Sequence, residues 1–236
     1  MKDFFRRLKY YGLGFTIGAI MVVFMFDNKG CSWFPSNRVK DNLFNRMIVV
    51  NTSSFDEIKE QGFTESGFLK TVQAGSVDFG KSKKQGLDKV YRIDYETSKG
   101  KKKHCFMTMG DESFMTEIIF SPKKASQISP TNSDAELPGT ILFIPKNEFL
   151  FYMDSSSVLT EKMKSIGIKN DKELNRLIRK NGRFNFSRSY LSQHPKPVHC
   201  LQFKVSKASK ETLFVKCIWY KDKIKVYDLS IGTLDF

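Results

Sequence analysis

The longest apolar stretch of this chain is an uncharged run over residues 10–26 (YYGLGFTIGAIMVVFMF). Seventeen helical residues rise about 26 Å, the short end of the length that a bilayer requires. Basic side chains precede the run and aromatic side chains stand at both of its ends, as is typical of membrane interfaces. The pattern predicts a transmembrane helix over residues 10–26.

Charge around this run predicts its orientation. The tail of residues 1–9 is net positive, which favours a cytoplasmic N-terminus and puts residues 27–236 in the periplasm of a bacterium, with the helix in the inner membrane. Alternatives are a cleaved secretory signal, a lipoprotein signal at Cys31 and a helix buried in a soluble protein. The run ends without small residues and polar residues precede Cys31, so an uncleaved anchor is the preferred interpretation.

Two glycines in the same run, Gly14 and Gly18, have the GxxxG spacing. Small residues four apart let a second helix approach closely. The sequence therefore predicts a helix contact at Gly14 and Gly18, with a transmembrane helix of a membrane protein complex as partner. The alternative is that these glycines reflect the ordinary composition of membrane helices.

The remainder of the chain aligns with itself at an offset that moves only from 105 to 108 residues. Pro35 is matched to Pro138 upstream, each before an apolar run. The order and spacing of the landmarks predict a duplicated domain. The aligned pairs are Gly62 with Gly167, Gly75 with Gly182, Phe79 with Phe186, and Ser82 with Ser189.

Each copy shows the same sequence of apolar patterns: a strand, two helices and three strands in meander order. The first copy has strands at 46–50, 90–95, 103–109 and 114–120, with helices ending at Gly62 and over 65–74. The second copy has strands at 149–153, 198–205, 212–220 and 224–229, with helices ending at Gly167 and over 171–180.

The predicted fold class is α+β. One N-terminal transmembrane helix is followed by two tandem small domains, each a helix pair packed on an antiparallel sheet of about four strands. The Ser-, Pro- and Lys-rich stretch between the copies reads as a linker. The predicted boundaries are a tail at 1–9, the helix at 10–26, a first domain at 33–120, a linker at 121–136 and a second domain at 137–236.

Two stretches carry a family resemblance. Residues 4–39 resemble the start of uncharacterised single-pass proteins found in Bacteroidota. Residues 57–83, followed by VYRIDY at 90–95, resemble the domain-of-unknown-function family numbered 4258. That family is similar to small α/β folds of the RelE and barnase kind, some of which cut RNA. Soluble members tend to begin the first helix with a His and an Arg about four residues apart, and residues 52–57 and 155–159 contain neither.

The net charge of +14 is concentrated in the N-terminal flank and the second half, since residues 121–236 carry 20 Lys and Arg against 11 Asp and Glu. Basic residues after the second helix of each copy are predicted to contact an anion or an acidic partner protein. Alternatives are a solvated basic surface, anionic lipid headgroups and nucleic acid, of which nucleic acid is the least favoured. The predicted contact residues are Lys81, Lys83, Lys84, Arg183 and Arg188.

Catalytic chemistry is not indicated. His104, His194 and His199 do not occupy equivalent positions in the two copies, and no phosphate-binding loop, nucleophile elbow or metal motif is present. No cofactor or metal is predicted, and the strand cysteines read as core residues, with a disulfide as the alternative.

The predicted function is a non-enzymatic accessory or scaffolding subunit of a bacterial envelope complex that binds partner proteins through its two repeated domains. The alternative is an RNA-binding or degenerate RelE/barnase-like ribonuclease domain that faces the cytoplasm. A third hypothesis is an envelope enzyme that uses His194 or His199.

Overall fold

The computed structural model describes residues 2–27, 34–121, 124–128, 138–145, 151–153, 157–204, 211–220 and 223–232. The chain divides into two compact units, Met1–Asp41 and Asn42–Phe236. Cys31, most of the predicted linker and the first two residues of the predicted strand 149–153 lie outside the described residues.

Helix α1 (Lys2–Asp27) is the main element of the first unit. Helix α2 (Pro35–Phe44) begins within the last residues of that unit and ends in the second. Across the described residues, no helix is both long enough and apolar enough to cross a membrane. The uncharged run of residues 10–26 rises only about 26 Å against a hydrocarbon core of about 30 Å, and α1 also contains the charged residues before that run. The predicted transmembrane helix is therefore wrong. The single-pass anchor, the inner-membrane location and the periplasmic and cytoplasmic assignments that depended on it are wrong with it.

The second unit is built on one mixed sheet of eleven strands in the order β2-β3-β4-β5-β1-β6-β8-β9-β10-β11-β7. The first five strands along the chain are β1 (Met47–Val50), β2 (Ser76–Lys83), β3 (Asp88–Glu96), β4 (Lys102–Gly110) and β5 (Met115–Ile119). The others are β6 (Gly139–Phe143), β7 (Phe151–Met153), β8 (Arg183–Phe184), β9 (His199–Phe203), β10 (Thr212–Tyr220) and β11 (Lys223–Gly232). The helices are α3 (Thr52–Glu60), α4 (Glu65–Ala74), α5 (Ser157–Ser165) and α6 (Asp171–Asn181), and a short 3-10 helix covers Ala125–Gln127.

The strand order repeats within this sheet. We call residues 42–121 the first half and residues 151–232 the second half. The first half has the order β2-β3-β4-β5-β1 and the second half β8-β9-β10-β11-β7. In each half the first strand along the chain pairs parallel with the last, β1 with β5 and β7 with β11. A helix pair follows that first strand in both halves.

Strand β6 joins the two halves because it pairs antiparallel with β1 on one side and with β8 on the other. The predicted pair of separate domains, each with an antiparallel sheet of about four strands, is therefore wrong. A strand that satisfies backbone groups of both halves makes one continuous sheet, and the two parallel pairs make that sheet mixed. The matched prolines also differ, since Pro35 begins helix α2 whereas Pro138 precedes β6.

The main core also crosses from one half to the other. Met47, Val49, Phe114 and Met115 of the first half are buried in the same apolar cluster as α5, α6 and strands β7–β11. A smaller cluster covers one face of the first half, where Ala125 and Ile128, both within the predicted linker, pack with Val90 and Phe106. The described middle of that linker thus belongs to a core.

Local sequence signals account for the helices. The side chains of Asn51, Thr64 and Asn170 cap the N-termini of α3, α4 and α6 by accepting a hydrogen bond from a backbone N–H three residues on. Gly62 and Gly167 follow α3 and α5 with φ of +77° and +83°, a conformation that glycine adopts at little cost. The second helix of each predicted pair is confirmed as α4 and α6.

Candidate functional site

A hydrogen-bonded turn interrupts strand β2 in the first half. The carboxylate Oδ1 of Asp78 accepts hydrogen bonds from the backbone N–H groups of Gly80 at 3.0 Å and Lys81 at 3.1 Å. The hydroxyl of Ser82 donates to the carbonyl of Asp78 at 2.6 Å and accepts from the N–H of Arg92 at 3.0 Å. These bonds fix a bulge in β2 and attach it to the neighbouring strand β3.

The second half contains the same turn after β8. Oδ1 of Asn185 accepts from the hydroxyl of Ser187 at 3.0 Å and from the N–H of Arg188 at 2.8 Å. The hydroxyl of Ser189 donates to the carbonyl of Asn185 at 2.6 Å and accepts from the N–H of Cys200 at 2.9 Å. We call the two structures the repeated turns.

Each repeated turn presents one of the predicted basic contact residues at its tip. Lys81 is 63% exposed and its ammonium lies 3.2 Å from the carboxylate of Asp78. The hydrogen bond from Lys81 lowers the pKa of Asp78. In the second half the guanidinium of Arg188 stacks 3.8 Å from the ring centroid of Phe214. The structure therefore places Lys81 and Arg188 at equivalent positions.

The other predicted contact residues do not share a location. Lys83 ends β2 and Lys84 follows it, whereas Arg183 begins β8 and pairs with Gln202 and Thr140 of the strands on either side. Gly14 and Gly18 lie one turn apart on α1, and a Cβ built on either glycine meets no atom within 4 Å.

A polar trio lies next to the first repeated turn, on the face of β3 and β4 that points away from α4. The guanidinium Nε of Arg92 donates to the carboxylate of Asp94 at 2.7 Å, and Asp94 is the cross-strand neighbour of His104. Partial burial and the charge of Arg92 lower the pKa of His104, although Asp94 opposes the change. The neutral form of His104 is therefore favoured beside the Arg92–Asp94 ion pair. We call these three residues the Arg92 trio.

The Arg92 trio borders an open cleft of about 800 Å³ at the point where β2 begins. We call it the first-half cleft. Its walls carry four Lys or Arg side chains against two carboxylates, so its electrostatic character is basic. The lining residues are Lys70, Thr71, Ala74, Gly75, Ser76, Arg92, Asp94, Tyr95, Glu96, Lys102, Lys103 and His104.

The second half has different residues where the first has the Arg92 trio. Cys200 corresponds to Arg92, because each donates its N–H to the serine of the repeated turn. Two residues further along the strand, Gln202 pairs with Phe214 where Asp94 pairs with His104. The frame of the turn is thus shared, whereas the ionisable groups beside it are not.

The other two histidines play no part in this site. His199 is fully buried in β9, where its Nε2 lies 2.8 Å from the hydroxyl of Ser113, and burial lowers its pKa to about 3. His194 lies in an exposed loop before β9.

Glu117 of β5 is a buried carboxyl group whose burial has no local signal in the sequence. It is 1% exposed, and its Oε1 has no hydrogen-bond partner among the described residues. Burial raises its pKa to about 8. It lies opposite Val49 of β1 and does not line the first-half cleft.

Within the described ranges, no group of three or more His, Cys, Asp and Glu side chains is arranged to hold a metal ion. Cys105, Cys200 and Cys217 are free buried thiols, as the core interpretation of the strand cysteines predicted. Burial raises the pKa of each of them, which leaves them unreactive.

No family model, curated protein or solved structure matches this chain. The resemblance to the family numbered 4258 therefore stays a prediction.

Proposed function

We propose that this chain is a non-enzymatic binding protein that holds acidic partner proteins on the basic surfaces of its two halves. The observation that carries the proposal is the pattern of agreement between the halves. Both keep the repeated turn with a basic residue at its tip, whereas the Arg92 trio is replaced by Cys200, Gln202 and Phe214 in the second half.

A shared reaction would require the groups that move protons and stabilise charge to be present in both copies. A binding surface needs only complementary shape and charge, and two copies on one rigid sheet increase avidity when a partner contacts both. The excess of basic over acidic residues in the second half favours an acidic partner.

Co-purification of the tagged full-length chain tests this proposal. We expect one defined protein to be recovered in stoichiometric amount, because a scaffold forms a complex of fixed composition. Recovery should fall at least tenfold, as an order of magnitude for losing two charged contacts, in the double variant Lys81→Glu with Arg188→Glu.

The matched control is the double variant Lys99→Glu with Lys164→Glu, which changes the net charge equally at exposed positions outside the repeated turns. Circular dichroism would verify that both variants are folded. Recovery of the wild-type chain alone and monomeric, or equal loss of the partner in the two double variants, would contradict the proposal.

A second candidate function is RNA binding or cleavage at the Arg92 trio, in line with the family resemblance. The observation that favours it is the imidazole of His104, whose pKa is lowered by partial burial and by Arg92, in the lining of a basic cleft that also contains Arg92. An imidazole can accept the 2′-hydroxyl proton while cations stabilise the phosphate.

Incubation with a short single-stranded RNA separates this candidate from the first. Cleavage or binding that is lost in Arg92→Ala and His104→Ala, and kept in Lys99→Ala, would support it. RNA that stays intact and unbound at micromolar protein concentration would exclude this second candidate function.

A further inference from the structure

One face of the sheet has a different character in the two halves. In the first half, Phe106 of β4 is buried in the small apolar cluster to which the 3-10 helix contributes. Arg92 and Cys200 occupy equivalent positions beside the repeated turns. Their cross-strand partners are Phe106 and Lys216 respectively. A buried apolar position of the first half is therefore a cation, Lys216 of β10, in the second.

This face of the second half points away from α5 and α6. Val215 and Cys217 of β10 belong to the main core, together with residues of those two helices. Because side chains alternate along a strand, Lys216 and Tyr220 lie on the opposite side of the sheet. Lys216 is half-buried and Tyr220 is 43% exposed, so this side is open to solvent.

Lys225 and Tyr227 of β11 lie on the same open side. Their neighbours Ile224 and Val226 are part of the main core, so alternation turns Lys225 and Tyr227 away from it. Tyr227 is the extra residue of a bulge, because the pairing with β10 passes from Val226 directly to Asp228. Tyr227 is 37% exposed.

Tyr190 of the second repeated turn completes the group. It is 58% exposed, and the ammonium of Lys216 lies 6.0 Å from its ring centroid. Burial raises the pKa of Tyr227 to about 12, and the neighbouring Tyr190 contributes to the rise. Four residues along β10 from Lys216, about 13 Å away, the ring of Tyr220 has the ammonium of Lys225 at 5.8 Å from its centroid. We call Tyr190, Lys216, Tyr220, Lys225 and Tyr227 the aromatic face.

Rings and cations that share a solvent-exposed sheet surface suit single-stranded nucleic acid. Its bases stack on exposed aromatic rings, and its phosphates bind ammonium groups. An acidic peptide satisfies the lysines but offers the rings few flat groups to stack on. The carboxylate of Asp228, beside Tyr227, lies 3.4 Å from the ammonium of Lys162, which offsets its negative charge. The charge pattern of the sequence does not reveal this surface, because its rings come from separate segments.

We propose that the aromatic face binds single-stranded nucleic acid, with bases stacked on Tyr190 and Tyr227 and phosphates held by Lys216 and Lys225. This activity goes beyond the proposed function and is binding without cleavage. It is also distinct from the second candidate function, because the aromatic face belongs to the second half whereas the Arg92 trio belongs to the first.

Fluorescence anisotropy of the full chain with a labelled oligothymidylate of twelve nucleotides tests the inference. The control probe is an abasic oligonucleotide of the same length, which keeps the phosphates and lacks the bases. We expect the oligothymidylate to bind at least about tenfold tighter, an order of magnitude for the loss of stacked bases. An oligouridylate of equal length should bind as well, because every base has a face that stacks.

Variants of the rings separate stacking from charge. Tyr190→Ala with Tyr227→Ala should weaken binding of the oligothymidylate at least about tenfold, an order of magnitude for two lost stacking partners. Tyr190→Phe with Tyr227→Phe should keep the affinity, because both rings remain. Tyr10→Ala with Tyr11→Ala, which removes two exposed tyrosines of α1, is the matched control and should leave binding unchanged. Circular dichroism verifies that each variant is folded.

Variants of the lysines test the phosphate contacts. The logarithm of the binding constant should fall linearly with the logarithm of the salt concentration. Lys216→Gln with Lys225→Gln should reduce that slope by about 1.4, the value for two phosphate contacts on a single strand. Lys99→Gln with Lys164→Gln removes two exposed charges outside the aromatic face and should leave the slope unchanged.

Three results would overturn the inference. The first is equal affinity for the oligothymidylate and the abasic oligonucleotide, which would reduce the interaction to charge. The second is loss of binding in Arg92→Ala with His104→Ala, which would place the nucleic acid in the first-half cleft. The third is tighter binding of a twelve-residue oligoglutamate than of the oligothymidylate, which would make the aromatic face a part of the protein-binding surface.

Discussion

The hydroxyl of Ser113 lies 2.8 Å from Nε2 of His199, and this buried hydrogen bond joins the turn before β5 in the first half to β9 in the second. The His199 ring rests against Phe114, with the ring centroids 4.0 Å apart. A polar contact at this depth fixes how the two halves fit together, since misalignment would leave Nε2 of His199 buried without its partner.

Replacing Ser113 by alanine should therefore destabilise the whole sheet. The change leaves Nε2 of His199 buried without its partner, which costs about 1–3 kcal/mol of the free energy of unfolding. Urea denaturation measures the loss. Ser66→Ala, at an exposed position on α4, is the control and should change stability by less than about 0.5 kcal/mol. Equal midpoints for the wild type and S113A would show that the contact between the halves has no energetic weight.

Glu117 should make the protein less stable as the pH rises above 4.5. Its pKa is about 8 in the folded chain against 4.5 for an ordinary glutamate, so the folded state keeps a proton that the unfolded state releases. This group lowers the free energy of unfolding by up to about 1.4 kcal/mol per pH unit between those two values, and the loss is complete above the folded pKa. Glu117→Gln should remove this slope when urea midpoints are compared from pH 5 to pH 8. A variant with the wild-type slope would exclude Glu117 as its source.

His199 should make the protein less stable as the pH falls below 6.5. Burial lowers its pKa from 6.5 to about 3. Between these two values the unfolded state therefore binds a proton at His199 that the folded state does not bind. The contribution of His199 to stability is complete above pH 6.5 and is lost as the pH falls towards 3, by up to about 1.4 kcal/mol per unit. When the free energy of unfolding is measured as a function of pH, His199→Phe should reduce its fall below pH 6.5, whereas the exposed control His194→Gln should not. Identical acid limbs in the wild type and H199F would contradict the assignment.

Gly139→Ala should weaken the joint between the halves. The added methyl group would meet the ring of Phe186 at 2.5 Å and the carbonyl of Val50 at 2.8 Å, so β6 must shift away from β1 and β8. We expect a loss of about 1–3 kcal/mol, as is usual for overpacking, measured by thermal unfolding. Gly80→Ala is the matched control, because its Cβ would meet only Asp78, at 3.4 Å. Equal melting temperatures for the two variants would argue against β6 as a tightly fitted element.

The repeated turns allow a paired test of the duplication. Ser82→Ala and Ser189→Ala each remove a hydroxyl that bridges the turn to the next strand, so each should lower the free energy of unfolding by about 1 kcal/mol. The double variant should lose the sum, because the two sites are distant from each other in the sheet. A loss confined to one half would show that the turns are equivalent in geometry and not in energy.

Local signals in the sequence predicted the elements that depend on local interactions. The caps at Asn51, Thr64 and Asn170 and the stops at Gly62 and Gly167 act over a few residues, and helices bounded by them are found where expected. Ser82 and Ser189, which the sequence matches as landmarks of the repeat, lie in the repeated turns.

Strands β2 and β8 were not predicted, because β2 is rich in Ser, Lys and Gly and β8 has only two residues. The single sheet was not predicted because the apolar run after Pro138 has the same sequence pattern whether its strand belongs to one domain or pairs with both halves. That choice depends on pairing with β1 and β8, which lie far away in the chain.

The candidate site was predicted in part. Lys81 and Arg188 were singled out by charge, and the structure places them in equivalent turns. Arg92 and Asp94 were missed, although the alternation in VYRIDY puts them on the face opposite Tyr91, Ile93 and Tyr95. Burial of Glu117 and His199 depends on the packing of both halves and has no local signal.

The position of β6 has a consequence for how this chain unfolds and aggregates. Because one short strand closes both the β1 edge and the β8 edge, neither half has a complete boundary when the other is absent. Calorimetry of the intact sheet should therefore record one cooperative transition, with equal calorimetric and van't Hoff enthalpies, in place of two. Proteolytic nicking next to β6 should convert a monodisperse protein into one that aggregates through its newly bared strand edges.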